Sequence, residues 1–174
     1  MDKDDESGEF AVEFSNGIEI ELSDTQSHVR YDPETLERLV RDVLRIEGVS
    51  RASISLAMVD DATIHEINRL HLGHDWPTDV ITFPLSEAGD DCLAGELVVS
   101  GEMARATATE RGHEPWEELA LYVVHGLLHL RGYDDLTEDD ARAMRRREDE
   151  VMALLGLMNP FSLVEFRLAA DQSE

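Results

Sequence analysis

The stretch His125-Gly-Leu-Leu-His129-Leu-Arg-Gly132-Tyr-Asp-Asp135 brings two imidazoles, a glycine and a carboxylate together within eleven residues. With about 3.6 residues to a turn, His125 and His129 project from the same face of a helix. Gly132, three residues past the second histidine, is placed to adopt a left-handed cap that stops the helix and turns the chain back. The returning chain carries Asp135 toward the two imidazoles. Histidines at this spacing also occur as ordinary core residues, so the pair alone decides little. The glycine and carboxylate at these offsets turn the pair into a three-ligand metal site, with His125, His129 and Asp135 as ligands and one zinc per chain as the cofactor. Three protein ligands leave zinc a fourth position for water, the arrangement of catalytic rather than structural sites. A water so held becomes a nucleophile near neutral pH, which gives His125, His129 and Asp135 their catalytic role.

The spacing H-x-x-x-H-x-x-G-x-x-D follows that of the metzincin peptidases, with Asp135 for the third histidine and Gly126 where a peptidase carries its glutamate. That glutamate is the general base of peptide hydrolysis, and Gly126 has no side chain to replace it. A metallopeptidase therefore ranks low. A third reading is a non-catalytic, partner-binding factor with a structural metal. A chain of 174 residues can bury a full core without such a staple, which weighs against it.

The net charge of -24 opposes any broad phosphate-binding face, and no DNA partner is expected. Much of the acid lies in the opening MDKDDESGE and the closing DQSE. Residues 1–9 read as an acidic disordered tail, 10–158 as a single metal-dependent domain and 159–174 as a C-terminal extension. Lys3 is the only lysine, while Arg131, Arg142, Arg145, Arg146 and Arg147 follow closely on the metal motif. The Arg145–Arg147 run reads as a solvated helix face paired with Glu148, Asp149 and Glu150. The single Cys92 cannot form an internal disulfide. No secretory signal or apolar run of membrane-spanning length is visible, so the expectation is a cytoplasmic protein with no membrane partner.

The elements that must position the site follow from periodicity. Alternation on both sides of Asn16-Gly17 predicts a hairpin over residues 10–22. A helix runs from the cap Asp32 to the stop Gly48, with Leu36, Leu39, Val40, Val43 and Leu44 as its apolar stripe. RASISLAMVD alternates as a strand, and Asp60 or Asp61 caps a helix to about Leu70, followed by a loop over His71–Pro77. VITFPL and LAGELVVS are short strands, and Ser100 caps a helix toward Arg111. Pro115 opens WEELALYVVHGLLHL, apolar on all sides and so the buried central helix. Thr137 and Asp140 begin a last helix to about Leu155. The fold class is α+β, a small mixed sheet packed on helices with the central one bearing the metal.

HGLLHLRGYDD, with the upstream HDWPTDVITFPL and the strand GELVVS, closely resembles the bacterial YbeY family over about residues 30–158. The resemblance implies a zincin-like fold and a zinc-dependent, single-strand-specific endoribonuclease. It further implies 16S rRNA 3′-end maturation and ribosome quality control, with single-stranded RNA and the ribosomal small subunit as partners. Two departures stand out: the family's third histidine is here Asp135, and an arginine of its loop is here Leu72. Zinc accepts carboxylate and imidazole at similar distances, so the first is mild. The second removes a phosphate clamp, for which Arg69, three residues earlier, is the candidate catalytic replacement. Trp76, by stacking on a base, and Arg131 are the candidate substrate contacts. Asp79 is expected to hold backbone amides at the turn into VITFPL, His113 to cap the helix at Pro115, and Asp134 to be a solvated neighbour of the true ligand. His74 and Asp75 offer acid-base groups in the loop, whereas His28, His65 and His71 carry no motif.

Overall fold

The computed structural model describes residues 17–161. In chain order the elements are β1 (Ile18–Asp24), α1 (Pro33–Ile46), β2 (Ala52–Val59), α2 (Asp61–Leu72), β3 (Val80–Pro84), β4 (Leu93–Ser100), α3 (Gly101–Arg111), α4 (Pro115–Leu130) and α5 (Glu138–Leu154). The sheet order is β1-β2-β4-β3, with β1, β2 and β4 parallel and β3 antiparallel on the edge. This is the mixed sheet with helices that the periodicity predicts.

The second arm of the expected hairpin is β1, but its partner among the described residues is β2, in parallel register from Ile18 opposite Ala52 to Asp24 opposite Met58. A parallel pair needs a long crossover, and the 14-residue α1 supplies it. The first arm, residues 10–16, lies outside the described residues, as does the acidic tail. α2 runs to Leu72 rather than Leu70, because Gly73 is the residue that takes the left-handed cap and donates its N–H to Asn68 O. The packed unit also continues past residue 158: Asn159 donates to Asp149 Oδ1 at 2.6 Å, and Phe161 packs against the main core. Residues 162–174 lie outside the described residues.

One face of the sheet carries the main core. Alternate residues of β2, Ala52, Ile54, Leu56 and Met58, are buried with Leu97 and Val99 of β4 against α1 and α4. The apolar stripe of α1 is buried as its spacing predicts. In α4 the run Glu118–Val124 and then Gly126–Leu128 are buried, so this helix is enclosed by its neighbours. Gly126 packs tightly on the sheet: a Cβ there would lie 2.6 Å from Leu97 Cδ2 and 3.2 Å from Val80 Cγ2. A side chain at 126 would have to displace Leu97 and Val80 or shift α4. The opposite face carries a smaller cluster of Val59, Ile64, Ile81 and Val98 under α2.

Candidate metal centre

His125 and His129 lie one turn apart near the C-terminus of α4, and Gly132 ends that helix with φ +98°. Gly132 N–H donates to His129 O and Tyr133 N–H to Leu128 O, which satisfies two end carbonyls and reverses the chain within three residues. The reversal places Asp135 Oδ2 3.5 Å from His125 Nε2 and 3.6 Å from His129 Nε2. The two Nε2 atoms are 3.0 Å apart. Metal bonds of roughly 2.0–2.2 Å in a tetrahedral site put ligand atoms about 3.3–3.6 Å from one another. His125, His129 and Asp135 therefore form a group that could hold a metal ion.

The outer nitrogens decide the chemistry of the inner ones. His125 Nδ1 lies 2.5 Å from Glu148 Oε1, and His129 Nδ1 lies 3.0 Å from the carbonyl oxygen of Tyr133. Both oxygens can only accept, Glu148 as a carboxylate, so both Nδ1 atoms carry hydrogen and donate. In the neutral rings each Nε2 then presents a lone pair toward the other, an arrangement that repels unless a cation lies between them. This carboxylate-histidine pairing is how metal sites set the ring tautomer and orientation. Burial works against a charged imidazole at His125, yet the hydrogen bond and charge of Glu148, with Asp79 and Asp135, outweigh it and raise its pKa above the ordinary histidine value. The surroundings favour positive charge at this point, from a proton or from a metal.

A cavity of about 460 Å³ opens beside the site, with His125, Asp135 and Glu148 at its wall and Asp79, Arg111, Glu118, Tyr122 and Arg145 further along. Tyr122 is kept protonated by burial, with the charges of Glu118 and Asp79 acting in the same direction against the Thr107 hydrogen bond. It is therefore a hydrogen-bond donor rather than a base. Asp79 Oδ1 accepts from Val80 N at 2.8 Å and from Thr78 Oγ1 at 3.0 Å, the amide-holding role expected of it.

Glu148 is the residue the sequence reading misplaces. It is buried and bonded to His125, not on a solvated face with the arginines. Its signal is present all the same: Met144, Glu148, Val151 and Met152 share the buried stripe of α5, and a glutamate in an apolar stripe needs a partner. His113 does not cap α4, whose N-cap is Glu114; it is buried against Glu118 with Nε2 to Oε2 at 2.5 Å. Asp134 is more than a solvated neighbour, since its Oδ1 accepts from the Asp135 amide at 2.8 Å and so steadies the ligand loop.

Of the expected substrate contacts, none lines the metal-side cavity. Arg131 reaches the other way, donating to the backbone oxygen of Glu47 at 3.3 Å and lining a separate pocket. Arg69 is exposed on α2 and absent from the cavity wall. Trp76 is 56% exposed and stacks on His74, with ring centroids 4.7 Å apart and planes 9° from parallel. Asp75 pairs with His65 at 2.8 Å, and neither His74 nor Asp75 lines the cavity.

Sequence comparison places this geometry in a family. The sequence model of endoribonuclease YbeY matches residues 21–156. The chain is similar to an endoribonuclease YbeY of Rhodopirellula baltica, 49% identical over 119 residues, which is 67% of this chain and 61% of that one. It is similar to another from Desulfitobacterium hafniense, 46% identical over 71% of this chain and 85% of that one, and to one from Carboxydothermus hydrogenoformans, 38% identical over 79% and 97%. Among solved structures it is similar to TM1509 from Thermotoga maritima, with a TM-score of 0.54 and 28% identity over 79% of this chain and 91% of that one. No helix among the described residues is long and apolar enough to cross a membrane. The helix with His125 and His129, its glycine stop, Asp135 and Glu148 all fall inside the matched span, and the chain belongs to the YbeY endoribonuclease family.

Proposed function

We propose that this protein is a zinc-dependent endoribonuclease that cuts single-stranded RNA, acting in the cytoplasm on the 3′ end of 16S rRNA and in quality control at the ribosomal small subunit. The observation that carries the reading is the convergence of three ligand atoms whose two imidazoles are each fixed from behind by an acceptor, in a chain of this family. Its relatives named endoribonuclease YbeY support RNA as the substrate.

His125, His129 and Asp135 would hold the ion. Bound there, a divalent ion supplies Lewis-acid chemistry at a phosphodiester. Glu148 and the Tyr133 carbonyl keep the two imidazoles in the ligating tautomer. Asp134 holds the amide of Asp135. The closed contact of Gly126 with Leu97 leaves no room for a peptidase glutamate, which supports nuclease over peptidase chemistry. A compact cavity rather than a long basic track favours unpaired nucleotides over duplex, whose recognition relies on a ladder of phosphate contacts.

The test is to incubate zinc-loaded protein with single-stranded RNA, duplex RNA of the same sequence and casein, with His125→Ala as control. Cleavage of the single strand, abolished by chelator and by the substitution, is expected. Chelator-sensitive casein hydrolysis, or metal-loaded protein that leaves RNA intact, would overturn the reading.

A further inference from the structure

The cavity beside the metal ligands has two arginines at its wall, and their circumstances differ. Arg111 lies 3.9 Å from Glu118, a carboxylate that is 2% exposed and also bonded to His113, so its charge is largely balanced. Arg145 stands on α5 one turn before Glu148, whose carboxylate touches His125; such i, i+3 neighbours have Cβ atoms about 5–6 Å apart. Among the described residues no hydrogen bond or ion pair engages Arg145, whereas Arg142 is taken by Glu138 and Asp139, and Arg147 by Glu47 and Glu150. Its guanidinium instead lies over the ring of Phe161, with Cζ 4.7 Å from the centroid. A cation–π contact of this kind braces the guanidinium without using its N–H donors, which stay available for bidentate contact with a phosphate. Each of the cavity's four acids is engaged elsewhere: Glu148 is bonded to His125, Glu118 to His113 and Asp79 to Val80 N, and Asp135 faces the His125 and His129 imidazoles.

We propose that Arg145, braced on Phe161, is the phosphate-binding cation of this site, which rests on the ribonuclease reading above. Leu72, 49% exposed, has no charge to offer a phosphate, and neither Arg69 nor Arg131 lines the cavity. The substrate group it meets is a phosphate flanking the one at the metal, since Arg145 is a helical turn removed from the residue that supports His125.

The test uses the zinc-loaded full chain and a labelled single-stranded oligoribonucleotide, followed both by initial anisotropy for binding and by cleavage, over a series of salt concentrations. Hydrogen bonds to charged groups are worth roughly 1.5–3 kcal/mol, so Arg145→Gln should weaken binding and raise KM by about ten- to a hundredfold. The slope of log affinity against log salt should flatten by about 0.7, the contribution of one single-strand phosphate contact. Zinc content should be unchanged and kcat should fall no more than a few-fold. Arg145→Lys should restore the salt slope but only part of the affinity, because a point charge lacks the guanidinium fork. Arg146→Gln, on the exposed side of the same helix, should alter neither. If Arg145→Gln matches Arg146→Gln in affinity and slope, the assignment is overturned while the ribonuclease reading stands. If the wild type binds with the Arg145-dependent slope but cuts nothing, the clamp stands and the ribonuclease reading falls. Wild-type protein that neither binds nor cuts the oligonucleotide overturns both.

Discussion

Removing the carboxylate behind His125 separates the support of the metal site from its ligands. Glu148 is 6% exposed and accepts the His125 Nδ1 hydrogen at 2.5 Å, its hydrogen bond to the site among the described residues. Outer partners of ligating histidines typically contribute 10- to 100-fold in metal affinity. Glu148→Gln keeps the volume and an amide oxygen that can accept from Nδ1, so it removes charge but not orientation, and zinc affinity should fall by about tenfold. Glu148→Ala removes both and should fall toward a hundredfold, or roughly 2.7 kcal/mol. The metal-free fold should suffer less than loss of a buried ion-pair partner usually implies, because His125 can shed its proton instead of remaining an uncompensated charge. Competition against a zinc-binding fluorophore at fixed pH measures the affinities, and urea melts of the metal-free chains measure stability. If Glu148→Ala binds zinc within twofold of wild type while remaining folded, the carboxylate does not orient the ligand and the tautomer argument is wrong. Weaker binding by the Gln variant than by the Ala variant would refute it as well.

Asp135→Ala should lose zinc affinity by an order of magnitude or more, and Asp135→His should retain the ion, as read by metal content after dialysis against a mild chelator. Zinc affinity should fall as pH drops through the raised pKa of His125, because binding displaces the proton that Glu148, Asp79 and Asp135 hold there against the opposing effect of burial. In the metal-free chain the sign is the reverse: the stabilisation from charged His125 is full below the ordinary histidine pKa and is lost as pH rises through the raised one, which urea melts across pH would show. Gly126→Ala puts a methyl group 2.6 Å from Leu97 Cδ2 and should destabilise by about 1–2 kcal/mol, the overpacking cost less the gain in helix propensity. A urea midpoint equal to or above wild type would show that Leu97 and Val80 make room for the methyl group at little cost.

The juxtaposition of His125, His129 and Asp135, a group that could hold a metal ion, was legible because its geometry is local. His125 and His129 are related by one helical turn, and Asp135 follows from a glycine cap whose hydrogen bonds span only Leu128–Tyr133, so the periods and turn chemistry of a short segment suffice. The caps Asp32, Asp60, Ser100 and Thr137 and the enclosed α4 were legible for the same reason, since each depends on neighbours in sequence or on the pattern of one helix. Other features depend on which element lies beside which. Pairing of β1 with β2 in parallel is decided by α1 crossing between them, and a hairpin signal at Asn16-Gly17 carries no information about that partner. Glu148 lies 23 residues from His125, and Arg145 and Phe161 meet only because the chain after α5 folds back onto it. The direction of Arg131 is likewise set by α1, whose last turn offers the carbonyl of Glu47. Residue type and spacing determined that an ion could be held between two histidines and an aspartate; packing of α5 against α4 decided which carboxylate backs His125 and which arginine of α5 lines the cavity, because a charged side chain's partner is chosen by the surface that folding brings to it.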